Sequence, residues 1–180
     1  MAKSTIPTVQ YPSTHFVESC GAVLFDLSTR SAPKVCLINH LASTHWLLPK
    51  GRRNINESRK DAAVREVTEE TGYACQLLPV NMSTRACAPD DPSDVPDETK
   101  VRDDITEPFM CSVRDLGGVK GAKFIWWYVA VVDAEKEKGK GEDEFTAEWF
   151  EVHEAREKLW FETDREILNR AVAIVEDTLG

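Results

Sequence analysis

Three glutamates, at positions 66, 69 and 70, have the clearest capacity for chemistry in this sequence. In a helix, residues three or four positions apart lie on one face, so this spacing places the three carboxylates side by side. Like charges at that spacing repel each other by roughly 0.2–0.5 kcal/mol per pair. Carboxylate oxygens are the ligands that Mg²⁺ prefers. The cluster therefore predicts a divalent-cation site and a metal-dependent reaction of a phosphate compound.

The glutamates need a helix to position them, and the local sequence supplies both of its ends. Ser58 is the predicted N-cap, with Asp61 three residues later as in a capping box. Gly72 is placed to end the helix in the left-handed conformation. At 100° per residue, one arc carries the small and apolar side chains Ala63, Val64, Val67 and Thr71. We expect that arc to be buried, while the adjacent acidic arc, flanked by Ala62, faces a cleft.

Short apolar runs with β character surround this helix. Three precede it, at residues 20–26, 34–39 and 46–50, and the first two are typical of a hairpin. Four follow it, at 74–80, 109–113, 124–132 and 145–152, and the run 124–132 is predicted to be central in the sheet. Residues 153–179 have helical periodicity, with Asp164 as the candidate point of division into two helices. This order predicts a three-layer α/β/α sandwich around a mixed β-sheet.

The length of 180 residues predicts one domain with its own core. Residues 1–15, rich in Ser, Thr and Pro, are predicted to form a flexible N-terminal arm, and residues 16–180 the domain itself. Within the domain, residues 86–108 are acidic and proline-rich, with almost no apolar periodicity. That composition predicts an acidic loop.

Composition and charge argue against several classes of protein. No apolar run approaches the roughly 20 residues of a membrane helix, and no secretory signal is visible, so we expect a cytoplasmic protein unless a signal was removed. The five cysteines are odd in number and widely spaced, which favours free thiols. The net charge of −9 argues against nucleic-acid binding but allows a small polyanionic substrate, which senses only the local field. Oligomeric state is left open.

The stretch 51–73 resembles the Nudix box, G-x5-E-x7-R-E-U-x-E-E-x-G-U, in which U is an apolar residue. The matching positions are Gly51, Glu57, Arg65, Glu66, Val67, Glu69, Glu70, Gly72 and Tyr73. Nudix proteins hydrolyse diphosphates linked to a further moiety and use Mg²⁺ or Mn²⁺. The resemblance therefore implies a pyrophosphohydrolase with the Nudix form of the α/β/α sandwich, in which 51–73 is the catalytic loop and helix.

The resemblance also implies roles for individual residues at a metal site. Glu66, Glu69 and Glu70 are expected to be the metal ligands. Glu57, which precedes the helix, is expected to support them or to bind a second ion. Gly51 is expected to let the loop backbone approach the metal closely.

Two further roles concern the reaction itself. Arg65 is expected to pair with a glutamate and orient it. Glu70 is the expected general base, because the family often draws its base from this helix. A base on a distant loop is the alternative, with four weaker candidates, Glu142, Asp143, Glu144 and Glu148.

Five cations near the start of the helix indicate what kind of substrate binds. They lie in the entrance loop and first helical turn: Lys50, Arg52, Arg53, Arg59 and Lys60. We expect Lys50, Arg52 and Arg53 to contact a substrate with many phosphates, unless these cations merely offset nearby carboxylates. The run WLLPKG at 46–51 resembles the segment before the box in diphosphoinositol polyphosphate and diadenosine polyphosphate hydrolases.

A diphosphoinositol polyphosphate is therefore the favoured substrate. A diadenosine polyphosphate or another nucleoside-diphosphate-linked compound is the alternative. A Nudix-fold binding module without turnover is the alternative of another class.

Overall fold

The computed structural model of the protein describes residues 5–180, so residues 1–4 of the predicted arm lie outside the described part. The strands in this range are β1 (Phe16–Asp26), β2 (Lys34–His40), β3 (His45–Leu47), β4 (Lys50–Arg52), β5 (Cys75–Leu77), β6 (Val80–Thr84), β7 (Lys100–Ile105), β8 (Met110–Asp115), β9 (Ala122–Val132) and β10 (Phe145–Glu151). The helices are α1 (Arg59–Thr71), α2 (Val152–Lys158) and α3 (Glu162–Leu179), with a 3₁₀ turn at Gly118–Lys120. Over residues 5–180 no helix is long and apolar enough to span a bilayer.

Eight of the strands form one mixed sheet with the order β10-β2-β1-β9-β5. Strand β3 lies beside β2, β4 beside β1, and β8 beside β9. Strands β1 and β9 are parallel, from the pair Phe16↔Ala122 to the pair Phe25↔Val131. The other neighbours are antiparallel. The predicted hairpin of β1 and β2 and the central position of β9 are therefore confirmed.

Each face of this sheet is covered by helices. The face that we call the α1 face packs against α1 through Cys20, Ala22, Leu24, Tyr128 and Ala130. The opposite face, called the α3 face, shares a core with α2 and α3 through Val23, Phe25, Ile125, Trp127 and Val129. The predicted α/β/α sandwich around a mixed sheet is confirmed.

Helix α1 begins and ends at the predicted caps. The Ser58 hydroxyl accepts a hydrogen bond from the backbone N–H of Asp61 at 3.1 Å. Gly72 adopts the left-handed conformation with φ 76°, and its N–H donates to the carbonyl of Thr68. The two caps set the length of the helix that carries the glutamates.

We expect Gly72→Ala to lower the free energy of unfolding by roughly 1–3 kcal/mol. Alanine would have to adopt a positive φ, and its Cβ would lie 2.6 Å from the carbonyl oxygen of Gly139. Chemical denaturation measures the loss. Gly118→Ala is the matched control, because Gly118 has a φ of +48° but nothing within 4 Å of an added Cβ. If both variants lost the same stability, the contact with Gly139 would have no part in the effect.

Two predicted strands are each divided at a proline. The run 46–50 becomes β3, which pairs with β2, and β4, which pairs with β1, with Pro49 between them. The run 74–80 becomes β5 and β6 on either side of Pro79. Proline has no N–H to donate to a strand ladder. The strand therefore ends at each proline, and the residues after it pair with a different strand.

The prediction of a loop over 86–108 is wrong for residues 100–105, which form β7 and pair with β6. The side chains of β7 are mostly polar, so this strand leaves no apolar alternation to detect. Its partner β6 buries Val80 and Met82 in the core that α3 covers. Pairing with a buried neighbour, rather than its own pattern, makes β7 a strand.

The division of the C-terminal helical run lies slightly earlier than expected. Helix α2 ends at Lys158 and α3 begins at Glu162, so Asp164 lies in the first turn of α3 rather than between the helices. Its side chain is buried, and the backbone N–H of Leu48 hydrogen-bonds to its carboxyl group.

Candidate active site

Helix α1 holds two of its glutamates against strand β4. Glu70 Oε2 accepts the backbone N–H of Lys50 at 2.7 Å. The Glu66 carboxylate lies so close to Gly51 that a Cβ on residue 51 would be 1.6 Å from Glu66 Oε2. Glycine is therefore required at position 51 by space, since any side chain would displace the carboxylate.

The burial of the helix differs from the predicted arc. Glu66 and Glu70 are 8% and 7% exposed, and Ala62 is fully buried, whereas Val64 is only partly buried. Glu69 is the one glutamate of the three that is exposed. The predicted buried arc holds for Ala63, Val67 and Thr71 but not fully for Val64, and β4 covers the part of the acidic arc nearest the sheet.

Arg65 connects the carboxylates of the site. Its Nε and Nη2 donate to the two oxygens of Glu57, at 2.7 and 2.9 Å. Its Nη1 donates to Glu66 Oε1 and to Glu69 Oε2, both at 2.7 Å. Its Nη2 also donates to the carbonyl of Arg52 at 3.0 Å. One guanidinium thus holds three carboxylates and the backbone of β4 in a fixed relation, which the planar fork of arginine allows.

The surroundings of the carboxyl groups raise the pKa of two of them and lower the pKa of a third. Burial raises the pKa of Glu70 to about 8, opposed by the nearby Lys50 and reinforced by Glu66 and Glu142. Burial also raises the pKa of Glu66, against the effect of Arg65. Hydrogen bonds from Arg65 instead lower the pKa of Glu57 to about 2. An added cation would favour the ionised form of Glu66 and Glu70, because a further opposite charge offsets the cost of burying each carboxylate.

The donor set suits Mg²⁺ or Mn²⁺ in chemical type, because every candidate ligand is an oxygen and Gly51 gives its backbone close access. Between residues 5 and 180, no three or more acidic, histidine or cysteine side chains have already converged as a metal cage. Glu66 and Glu69 are instead turned to Arg65, and Glu70 to the N–H of Lys50. Cation binding therefore requires these carboxylates to share or exchange partners.

A second acidic segment reaches the site from the loop before β10. The N–H of Gly139 donates to the carbonyl of Gly72 at 2.8 Å, and the N–H of Glu142 donates to that of Glu69 at 2.9 Å. The charge of Glu142 contributes to the raised pKa values of Glu66 and Glu70. Of the four alternative candidates for the base, Glu148 lies in strand β10 rather than in a loop, and Glu142 is the one whose charge acts on both buried glutamates. A cavity of about 390 Å³ is bordered by Glu70, Glu142, Asp143 and Glu148.

The family follows from comparison with known proteins. The model of the NUDIX domain family matches residues 16–171. The chain belongs to this family. Its fold is similar to that of a NUDIX hydrolase from Nitrosomonas europaea, with 16% identity, a TM-score of 0.58, and coverage of 87% of this chain and 88% of that chain. A C. elegans Ap4A hydrolase shares the fold at 15% identity and a TM-score of 0.57, with coverage of 88% and 97%.

A curated relative shares sequence with part of the chain. The mRNA decapping complex subunit 2 of Schizosaccharomyces pombe is 42% identical over 55 residues, which is 31% of this chain and 7% of that protein. The chain therefore spans a small part of the length of that relative.

Three of the five cations near the Nudix box are paired with carboxylates. Arg53 and Arg59 contact Glu18 at 3.0 and 2.6 Å, and Lys60 contacts Glu107 at 2.9 Å. For these three, the structure agrees with the reading that the cations offset neighbouring charges. Along residues 5–180, neither Lys50 nor Arg52 forms a side-chain ion pair. Among the predicted substrate contacts, Lys50 and Arg52 are therefore free to bind an anion, whereas Arg53 is held by Glu18.

Sequence reasoning missed Glu18. This residue of β1 binds side chains of the Nudix box on the α1 side of the sheet. Besides Arg53 and Arg59, it accepts the indole N–H of Trp126 at 3.0 Å. Arg59 in turn lies 4.0 Å from the ring centre of Trp126. Although burial opposes the shift, the hydrogen bonds from Arg59 and Trp126 lower the pKa of Glu18. An acidic residue within the apolar strand β1 was the signal that could have revealed this cluster.

Proposed function

We propose that the protein is a Mg²⁺- or Mn²⁺-dependent Nudix pyrophosphohydrolase that cleaves a phosphoanhydride bond in a highly anionic substrate. Diphosphoinositol polyphosphates are the preferred class. The observation that carries the proposal is the meeting of Glu66, Glu70 and Gly51 at β4, the strand that also carries two unpaired cations, Lys50 and Arg52. Family membership supports the reaction class, and the local positive charge supports the choice of substrate.

The metal would be held by Glu66, Glu69 and Glu70, with Gly51 and Glu57 close by. When bound, it would neutralise charge on the phosphoryl oxygens and lower the pKa of a water molecule. Arg65 keeps the carboxylates in a fixed relation.

Lys50 and Arg52 would contact the phosphates as charged hydrogen-bond donors. They are the two box cations whose side chains form no ion pair within residues 5–180. Arg53, tied to Glu18, is the weaker of the predicted substrate contacts.

Glu70 is our proposed general base. Its Oε2 accepts the N–H of Lys50, which leaves Oε1 as the atom to take the proton of the attacking water. A base works best when its pKa lies near the working pH; burial raises the pKa of Glu70 to about 8, and a bound cation would bring it down from there. Glu142 is the alternative base, since it is the loop carboxylate that acts on the same site.

A panel of substrates tests the proposal. The protein is incubated with a diphosphoinositol polyphosphate, a diadenosine polyphosphate and a sugar nucleotide, each with Mg²⁺, with Mn²⁺ and with a chelator. We expect product release that requires the metal, as orthophosphate from the inositol compound and as nucleotides from the other two, with the highest kcat/KM for the inositol compound. If the protein bound one of these compounds but hydrolysed none, it would be a Nudix-fold binding module, and the proposal of an enzyme would be overturned.

A cavity on the α1 face favours a second candidate, a diadenosine polyphosphate or another nucleoside-diphosphate-linked substrate. The cavity has a volume of about 330 Å³ and is lined by aromatic side chains and Arg59, the aromatics being Tyr11, Phe16, Phe124 and Trp126. Such rings can stack on a nucleobase. A higher kcat/KM for the nucleotide substrates in the same panel would select this candidate.

A further inference from the structure

We propose that four cations on the α3 face, Lys50, Arg52, Lys123 and Arg114, form one surface that binds the phosphates of the substrate outside the cleaved anhydride. We call this surface the cation row. The inference deepens the proposed function and rests on it. Two members, Lys123 and Arg114, come from strands far in sequence from the Nudix box.

Strand register places the two cations of β4 on the α3 face. Lys50 pairs with Gly21, and Arg52 pairs with Ser19, across β4 and β1. Directly paired residues point to the same side of a sheet. Ser19 pairs in turn with Ile125 of β9, and Ile125 belongs to the core beneath α3. The side chains of Lys50 and Arg52 therefore extend on the side of the sheet that α3 covers.

The same register brings two more cations to this face. Lys123 lies two residues before Ile125 on β9, so its side chain points the same way. Its partner on β8 is Arg114. With strands spaced by about 4.8 Å, the row from β4 through β1 and β9 to β8 spans roughly 14 Å. That length matches several phosphate groups on one ligand better than a single phosphate.

The four cations share one electrostatic environment. Lys123 is partly buried, and burial lowers its pKa, followed by the positive charges of Lys50, Arg114 and Arg52, while Glu70 acts in the opposite direction. Glu70 is thus close enough for its charge to act on the row. Like charges held together are unfavourable without a counterion, so an anionic ligand would gain from each of them.

The protein supplies little negative charge to this face. Within the described chain, none of the four forms an ion pair. Two carboxyl groups, Asp164 and Glu70, interact with members of the row. Burial raises the pKa of Asp164, although the Leu48 N–H, Lys50 and Arg114 oppose that effect. Two carboxyl groups cannot neutralise four cations.

The α1 face provides the contrast. There the cations of the same entrance region are already neutralised, Arg53 and Arg59 by Glu18 and Lys60 by Glu107. The sheet thus separates a paired set of cations from an unpaired set. The unpaired set is the one whose positive charge an anionic ligand can neutralise.

Direct binding of inositol hexakisphosphate, measured by calorimetry without divalent cations, tests the inference. This ligand carries many phosphates but no anhydride, so it probes the cation row independently of turnover. We expect Lys123→Gln and Arg114→Gln each to weaken binding by about threefold to tenfold, and the double variant to weaken it further. The affinity of the native protein should also fall as salt is added, and fall less steeply in the double variant.

Lys60→Gln is the matched control, because it removes one cation of the entrance region on the α1 face, where Glu107 pairs with it. Its affinity should equal that of the native protein. The inference is overturned if the native protein does not bind the ligand, if Lys123→Gln and Arg114→Gln bind normally, or if Lys60→Gln loses as much affinity. If only the row variants lost affinity and the native protein hydrolysed no inositol pyrophosphate with Mg²⁺, the cation row would be supported and the proposed reaction would be contradicted.

Discussion

Glu70→Gln should lower kcat by roughly 10²–10⁴-fold, the range expected when a positioned base is removed. Glu70 is the buried carboxylate that we propose as the base, and glutamine cannot accept the proton of the attacking water. Steady-state kinetics with Mg²⁺ on the best substrate of the panel measures the effect. A loss that disappears at high Mg²⁺ concentration would show that Glu70 acts through metal binding alone and is not also the base.

The fold of this variant should remain intact. The amide oxygen of glutamine can still accept the N–H of Lys50, as Glu70 Oε2 does at 2.7 Å. The substitution also removes a buried carboxyl group whose ionisation the site disfavours, so the thermal midpoint should not fall. Glu142→Gln is the comparison. If it abolished turnover while Glu70→Gln remained near normal, the base would be the loop carboxylate.

Arg65→Lys should lower kcat/KM by roughly 10- to 100-fold, the usual cost of removing a partner that orients metal ligands. Lysine keeps the positive charge but offers a single ammonium group. It cannot serve Glu57, Glu66, Glu69 and the Arg52 carbonyl together, as the guanidinium does. The apparent Mg²⁺ affinity should weaken with the rate, because the carboxylates lose their fixed relation.

Arg85→Lys is the matched control for this variant. Arg85 also pairs with a carboxylate, Asp97, but both side chains are largely exposed, at 65% and 77%. Exposed pairs contribute at most about 1 kcal/mol to stability and have no link to the site. We expect unchanged kinetics for Arg85→Lys, and a loss of less than twofold for Arg65→Lys would contradict the orienting role.

The parts of the site that were predictable depend on short-range rules. The caps Ser58 and Gly72 were predictable because the hydroxyl and the left-handed backbone act within one helical turn. The hairpin of β1 and β2 and the central strand β9 were predictable from apolar runs, since a buried strand must carry one.

Other parts depend on partners distant in sequence. Strand β7 is polar and becomes a strand through its pairing with β6. Glu142 reaches the site because Gly141 lets its loop approach Glu70 closely; an added Cβ at Gly141 would lie 3.2 Å from the Glu70 carbonyl oxygen. Glycines in a charged loop indicate freedom of the backbone, but not the surface it will meet.

The sequence by itself determined the proposed reaction machinery of this protein: a capped helix, its glutamates, Arg65 and Gly51, all within one stretch of 23 residues from Gly51 to Tyr73. Only the tertiary structure decided which charges are available to a substrate. Arg52 and Arg53 are adjacent in sequence, yet Arg53 is paired with Glu18 and Arg52 lies on the α3 face with Lys123. The physical reason is that successive residues of a strand point to opposite faces of a sheet, and the partners on each face come from distant strands.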